Sequence, residues 1–83
     1  MITLEQSALH ARVVENRLRR DYRNYSVLVE IELAPEGFVL KSVAGDEDKA
    51  FSYKCVVPYD CGDCLIVSLD EVERKMREKM KGA

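Results

Sequence analysis

A chain of 83 residues in which 34% are charged and 47% hydrophobic, with a formal net charge of −2, is too apolar for disorder and too polar for a membrane span. One domain covers residues 1–83, and a chain this short buries only about 60% of its unfolded-state surface, which argues against a second domain or a deep catalytic cleft. No apolar run approaches the ~20 residues that cross a bilayer, the amino terminus Met1-Ile2-Thr3-Leu4-Glu5 lacks basic and apolar signal regions, and three cysteines cannot close a full disulfide framework, so the chain reads as cytoplasmic.

The first predicted element is a helix from Leu4 to about Arg23, opened by a capping box of Thr3 and Gln6. At 100° per residue, Leu4, Ala8, Ala11, Val14, Leu18 and Tyr22 form its apolar stripe. Glu15 falls inside that stripe and is read as a rim carboxylate reaching Arg12 or Arg19, the sharper alternative being a buried acid. Leu9 and Val13 lie on the opposite side, and an apolar pair at four-residue spacing on an outer face suggests a partner, either another protein or a second copy of the chain. Arginines crowd the second half. Arg12, Arg19 and Arg23 project within ~40° of one another, and with Arg20 they form a candidate nucleic-acid-binding ridge, although the chain as a whole is acidic.

Two strands and a tight turn follow in Ser26 to Val43. Val27, Val29, Ile31 and Leu33 alternate with polar or outward positions, and Ala34-Pro35-Glu36-Gly37-Phe38 supplies the turn chemistry of a hairpin. An acidic loop, Ala44 to Lys49, leads to a third strand over Ala50 to Val57, with Phe51, Tyr53, Cys55 and Val57 on one face and Pro58 as its stop. Residues 26–67 hold three lysines against eight acids, net −5, whereas residues 1–25 carry +2. That polarity lets opposite ends of two copies attract, or lets the basic helix lie over the acidic sheet.

Cys55, Cys61 and Cys64 make up the constellation closest to a chemical site. C-G-D-C has the spacing that turns two thiolates toward one metal; Cys55 and one of His10, Asp60 or Asp63 would complete a zinc set. The simpler reading has Cys55 in the core and the other two as loop thiols, with no cofactor. The same spacing serves thioredoxin-like redox chemistry, which requires a helix immediately after the motif. Leu65-Ile66-Val67 instead reads as a short fourth strand, with Ser68-Leu69-Asp70-Glu71 capping the last helix, whose stripe is Leu69, Val72, Met76 and Met80 and whose end is Gly82.

The expected fold is therefore α+β, in the order helix, three or four antiparallel strands in a meander, helix, with both helices on one sheet face. This is also the order of double-stranded RNA-binding domains, which use a lysine-rich start to the second helix and a histidine-bearing loop between the first strands. Leu69-Asp70-Glu71-Val72-Glu73 and Pro35-Glu36-Gly37 stand in those places, so the motifs are absent and the shared order implies no RNA-binding function. One histidine, no Gly-rich phosphate loop and no nucleophile with an identifiable base point away from an enzyme. The leading expectation is a non-enzymatic protein-interaction module, homodimeric, that contacts its partner through Leu9 and Val13. Nucleic-acid binding by the arginine ridge is the alternative, zinc binding by the cysteines the third, and no membrane is involved.

Overall fold

The structure, a computed structural model, describes residues 4–81. It contains α1 (Leu4–Asp21), β1 (Ser26–Ala34), β2 (Gly37–Gly45), β3 (Ala50–Val57), a 3-10 segment (Tyr59–Cys64) and α2 (Leu65–Lys81). The strands form one antiparallel meander, β1-β2-β3. Side chains alternate across it, so Val27 and Val29 of β1, Leu40, Ser42 and Ala44 of β2 and Val57 of β3 fall on one face and are buried there. Both helices cover that face, α1 contributing Ala11, Val14 and Leu18 to the common core and α2 contributing Leu65, Leu69, Val72, Met76 and Met80. The helices run parallel, since the contacts between them pair His10 with Asp70, Arg17 with Glu73 and Asp21 with Arg77.

Hairpin register follows from the turn. Ala34 pairs with Gly37, leaving Pro35 and Glu36 as the two loop residues, and the pairing continues to Ser26 with Gly45. Gly37 has φ +150°, and a Cβ there would meet the Val57 carbonyl oxygen at 2.3 Å. Backbone conformation and close approach both require glycine at this position. The β2–β3 loop is closed by Asp46, whose Oδ1 accepts the amides of Asp48 and Lys49, each at 2.8 Å. These two backbone hydrogen bonds lower the Asp46 carboxyl from its ordinary value.

Three features differ from the sequence reading. Leu65-Ile66-Val67 is the first turn of α2 and not a fourth strand, and Ser68 lies inside the helix rather than capping it. Leu65 at 2% exposure continues the stripe of Leu69, Val72 and Met76, while Val67 stands 70% exposed. A three-residue apolar run fits either element, and the spacing of four from Leu65 to Leu69 decides for helix. Second, α1 ends at Asp21, although Tyr22 still donates its amide to the Leu18 carbonyl at 2.9 Å. Third, its buried stripe is Ser7, Ala11, Val14 and Leu18, with Leu4 and Ala8 exposed. The stripe is rotated because α1 lies beside β1 and against α2 at once. The capping box at Thr3 and the stop at Gly82 lie outside the described residues.

Gly37→Ala places a methyl group against backbone that cannot yield without moving the β3 terminus. It should cost about 2 kcal/mol or more, read as a lowered midpoint in urea unfolding, whereas Gly62→Ala, whose Cβ would meet nothing within 4 Å, should cost far less.

Candidate functional site

β1 is an edge strand, and α1 seals part of that edge. Glu15 Oε1 accepts the Val29 amide at 2.9 Å, and Arg19 Nε donates to the Val27 carbonyl at 3.0 Å. The two side chains are one helical turn apart and 3.8 Å from each other. An acceptor and a donor four residues apart on a helix thus stand in for the adjacent strand that β1 lacks. Glu15 is the rim carboxylate reaching Arg19, and its backbone hydrogen bond is what holds it there.

Ion pairs join the helices along the opposite flank of α1. His10 Nε2 lies 2.7 Å from Asp70, Arg17 2.7 Å from Glu73, and Arg77 2.8 Å from Asp21 and 2.9 Å from Glu73. Arg77 also sits 6.0 Å from the centre of the Tyr22 ring, within cation–π range. Hydrogen bonds from Arg77 and then Arg20 hold the Asp21 carboxyl below its ordinary value. A carboxyl lowered in the folded state stabilises the fold above the usual carboxylate range, and that contribution disappears as pH falls through it. On the outer side of α2, the Arg74 hydrogen bond lowers Glu71 in the same way.

The candidate nucleic-acid ridge is thereby divided. Arg19 is committed to the β1 edge and Arg20 to Asp21 at 3.1 Å, which leaves Arg12 and Arg23 as the members with no ion pair or hydrogen bond among the described residues. Leu9 and Val13 are 65% and 46% exposed on the outer face of α1. A concavity of ≈380 Å³ borders Leu9, lined by Glu5, Ala8 and Arg12.

A larger apolar surface, missed in the sequence, lies on the sheet face that carries no helix. Leu28 and Val43 are cross-strand partners there, as are Val39 and Val56. Leu28, Val43 and Val56 are 46%, 37% and 47% exposed, while Val39, on the central strand, is shielded to 6%. Between the two apolar pairs runs a charged row in which Glu30 pairs with Lys41 and Lys41 with Lys54. An open concavity of ≈460 Å³ borders Leu28, Glu30, Lys41 and Val43. The signal was in the strands all along: Leu28, Val39, Val43 and Val56 interrupt the polar alternation expected of a solvated face.

Cys61 and Cys64 are joined by a disulfide, and Cys55 is a free thiol on β3 whose pKa is pushed up by burial and then by Glu71, which keeps it protonated. His10 is turned to Asp70, and no group of three or more His, Cys, Asp or Glu side chains converges as a metal site among the described residues. The turn that holds the disulfide is pinned to the hairpin. Tyr59 donates its hydroxyl to the Ala34 carbonyl, its ring meets Phe38 edge-on at 4.8 Å, and the Cys61 amide donates to the Pro58 carbonyl at 3.0 Å. The segment is therefore a docked 3-10 turn leading into a helix, where a plain turn between two strands was expected. No helix of the described residues is long and apolar enough to cross a membrane.

Compared with protein-family models, curated proteins and solved structures, the chain matches none.

Removing the edge seal separates hydrogen bonding from charge. Glu15→Ala leaves the Val29 amide without its acceptor and should cost about 1–3 kcal/mol with faster Val29 hydrogen exchange, whereas Glu15→Gln keeps an acceptor and should cost well under half of that. Equal losses in the two variants would assign the effect to the exposed Arg19 pair instead.

Proposed function

We propose that this chain is a protein-interaction module that self-associates through the uncovered face of its sheet. The observation that carries the reading is the pair of apolar patches, Leu28 with Val43 and Val39 with Val56, on a face no helix covers. A second copy suits it by charge. Glu30 lies on one edge strand and Lys54 on the other, with Lys41 between them. Two sheets packed face to face about a two-fold axis parallel to the strands set β1 of one copy over β3 of the other, so Glu30 meets Lys54 twice, on either side of the two Lys41 side chains, which meet on the axis, each beside its own Glu30. The face is small beside the ~800 Å² per partner of a standard interface. The dimer is accordingly weak and concentration-dependent, with a cytoplasmic setting as its context.

Leu9 and Val13, the contact pair expected from the sequence, remain a second apolar patch on α1. Of the arginine ridge, Arg12 and Arg23 are the members unengaged among the described residues, too few for a nucleic-acid interface on α1 to be preferred.

Sedimentation equilibrium over a wide concentration range tests the reading. The chain should pass from monomer to dimer, and Val43→Lys should weaken the dimer about tenfold or more. Lys54→Glu should weaken it too, and Glu30→Lys combined with Lys54→Glu should recover part of the loss. A monomer mass at every concentration would remove the proposal. Loss of the dimer on Leu9→Lys and Val13→Lys, with Val43→Lys silent, would move the interface to α1.

A further inference from the structure

We infer that Cys61 and Cys64 are a redox-active pair that exchanges two electrons with a disulfide or dithiol of a polypeptide partner, with Cys61 as the attacking sulfur. The requirement that the sequence reading found missing, a helix directly after C-G-D-C, is present. Cys61 has φ −115° and ψ 40°, the one non-helical conformation within the Tyr59–Cys64 segment. Beyond it the chain is helical: the Leu65 amide donates to the Gly62 carbonyl, and α2 continues to Lys81. Cys61 therefore caps the 3-10 turn of residues 62–64 that runs directly into α2, where the first amides have no partner within the turn and an anion is favoured. That is the placement which makes a thiolate of the first cysteine in such a motif, while Cys64 sits one turn further in, bonded to it.

The surroundings suit exchange with a polypeptide. Cys61 and Cys64 are half-buried, and a Cβ at Gly62 would meet nothing within 4 Å, so one side of the turn is open to an incoming chain. Tyr59 at 48% exposure and Val67 at 70% flank the motif with apolar surface against which a peptide can rest. Asp60 and Asp63 are both exposed and add negative charge beside the sulfurs, which disfavours an anionic small thiol such as glutathione. Cys55 belongs to the core face of β3 and is not a member of the pair.

In the reducing direction, the Cys61 thiolate attacks one sulfur of the partner disulfide. A mixed disulfide forms and the first partner sulfur leaves as a thiolate that takes up a proton. Cys64, having lost its proton to solvent, then attacks Cys61 Sγ, closing the intrachain bond and releasing the second partner thiolate, which is protonated in turn. The pair is oxidised by two electrons and the partner disulfide reduced by two. The reverse sequence, with a partner dithiol as reductant, regenerates the two thiols.

Two measurements test the inference. In wild-type protein reduced with dithiothreitol, alkylation by iodoacetamide at mildly acidic pH, followed cysteine by cysteine by mass spectrometry, should modify Cys61 about tenfold faster than Cys64. Equal rates would overturn the assignment without recourse to any variant. Cys64→Ser should then trap a mixed disulfide with a neutral or basic peptide carrying one disulfide, Cys61→Ser should not, and glutathione disulfide should react more slowly than the peptide. Failure of Cys64→Ser to trap the peptide, or equal rates with glutathione disulfide, would overturn the proposed exchange with a polypeptide.

Discussion

The approach of two backbones at Gly37 positions everything from Val57 onward. Because Gly37 has no side chain, the end of β3 can lie against the hairpin turn, with the Val57 carbonyl where a methyl group would otherwise sit. That contact brings Tyr59 within reach of the Ala34 carbonyl and of the Phe38 ring, which docks the 3-10 segment. The docked segment aims α2 across β3 and β2, where Leu65, Leu69, Val72 and Met76 close the core. One residue in a tight turn thus sets the direction of the last helix, an effect of backbone sterics rather than of hydrophobic burial.

Around that core, polar side chains of α1 complete structure that neighbouring elements leave unfinished. Glu15 and Arg19 face the β1 edge, whereas His10, Arg17 and Asp21 face α2. The buried stripe of Ser7, Ala11, Val14 and Leu18 separates the two polar flanks. Such half-exposed ion pairs contribute little individually to stability. Their arrangement fixes the rotation of α1 about its own axis, and that rotation is why Leu9 and Val13 point outward.

Much of this was legible before any coordinates. The hairpin, the third strand, the meander and the single covered face all follow from period-two alternation and turn residues, signals that depend on local geometry. The outward placement of Leu9 and Val13 followed equally from helical spacing, which also put Glu15 within reach of Arg12 or Arg19; the β1 edge selects Arg19. What could not be read is where a short apolar run meets its neighbours. Leu65-Ile66-Val67 has strand composition, and only packing against β3 and β2 makes it helix, so the position of the cysteines at a helix start was hidden with it. The breaks in alternation at Leu28, Val39, Val43 and Val56 are visible in the strands, but they become two apolar pairs only once register sets them side by side.

The parallel course of the two helices has an electrostatic consequence. Dipoles laid side by side in the same sense repel, and cross-helix pairs such as Arg17 with Glu73 offset that repulsion along the seam. The positive poles of both helices also gather at one end of the molecule, the end that carries Leu4 and the C-G-D-C turn. Two helix starts rather than one therefore give that end of the molecule a positive bias, against which Asp60 and Asp63 set negative charge.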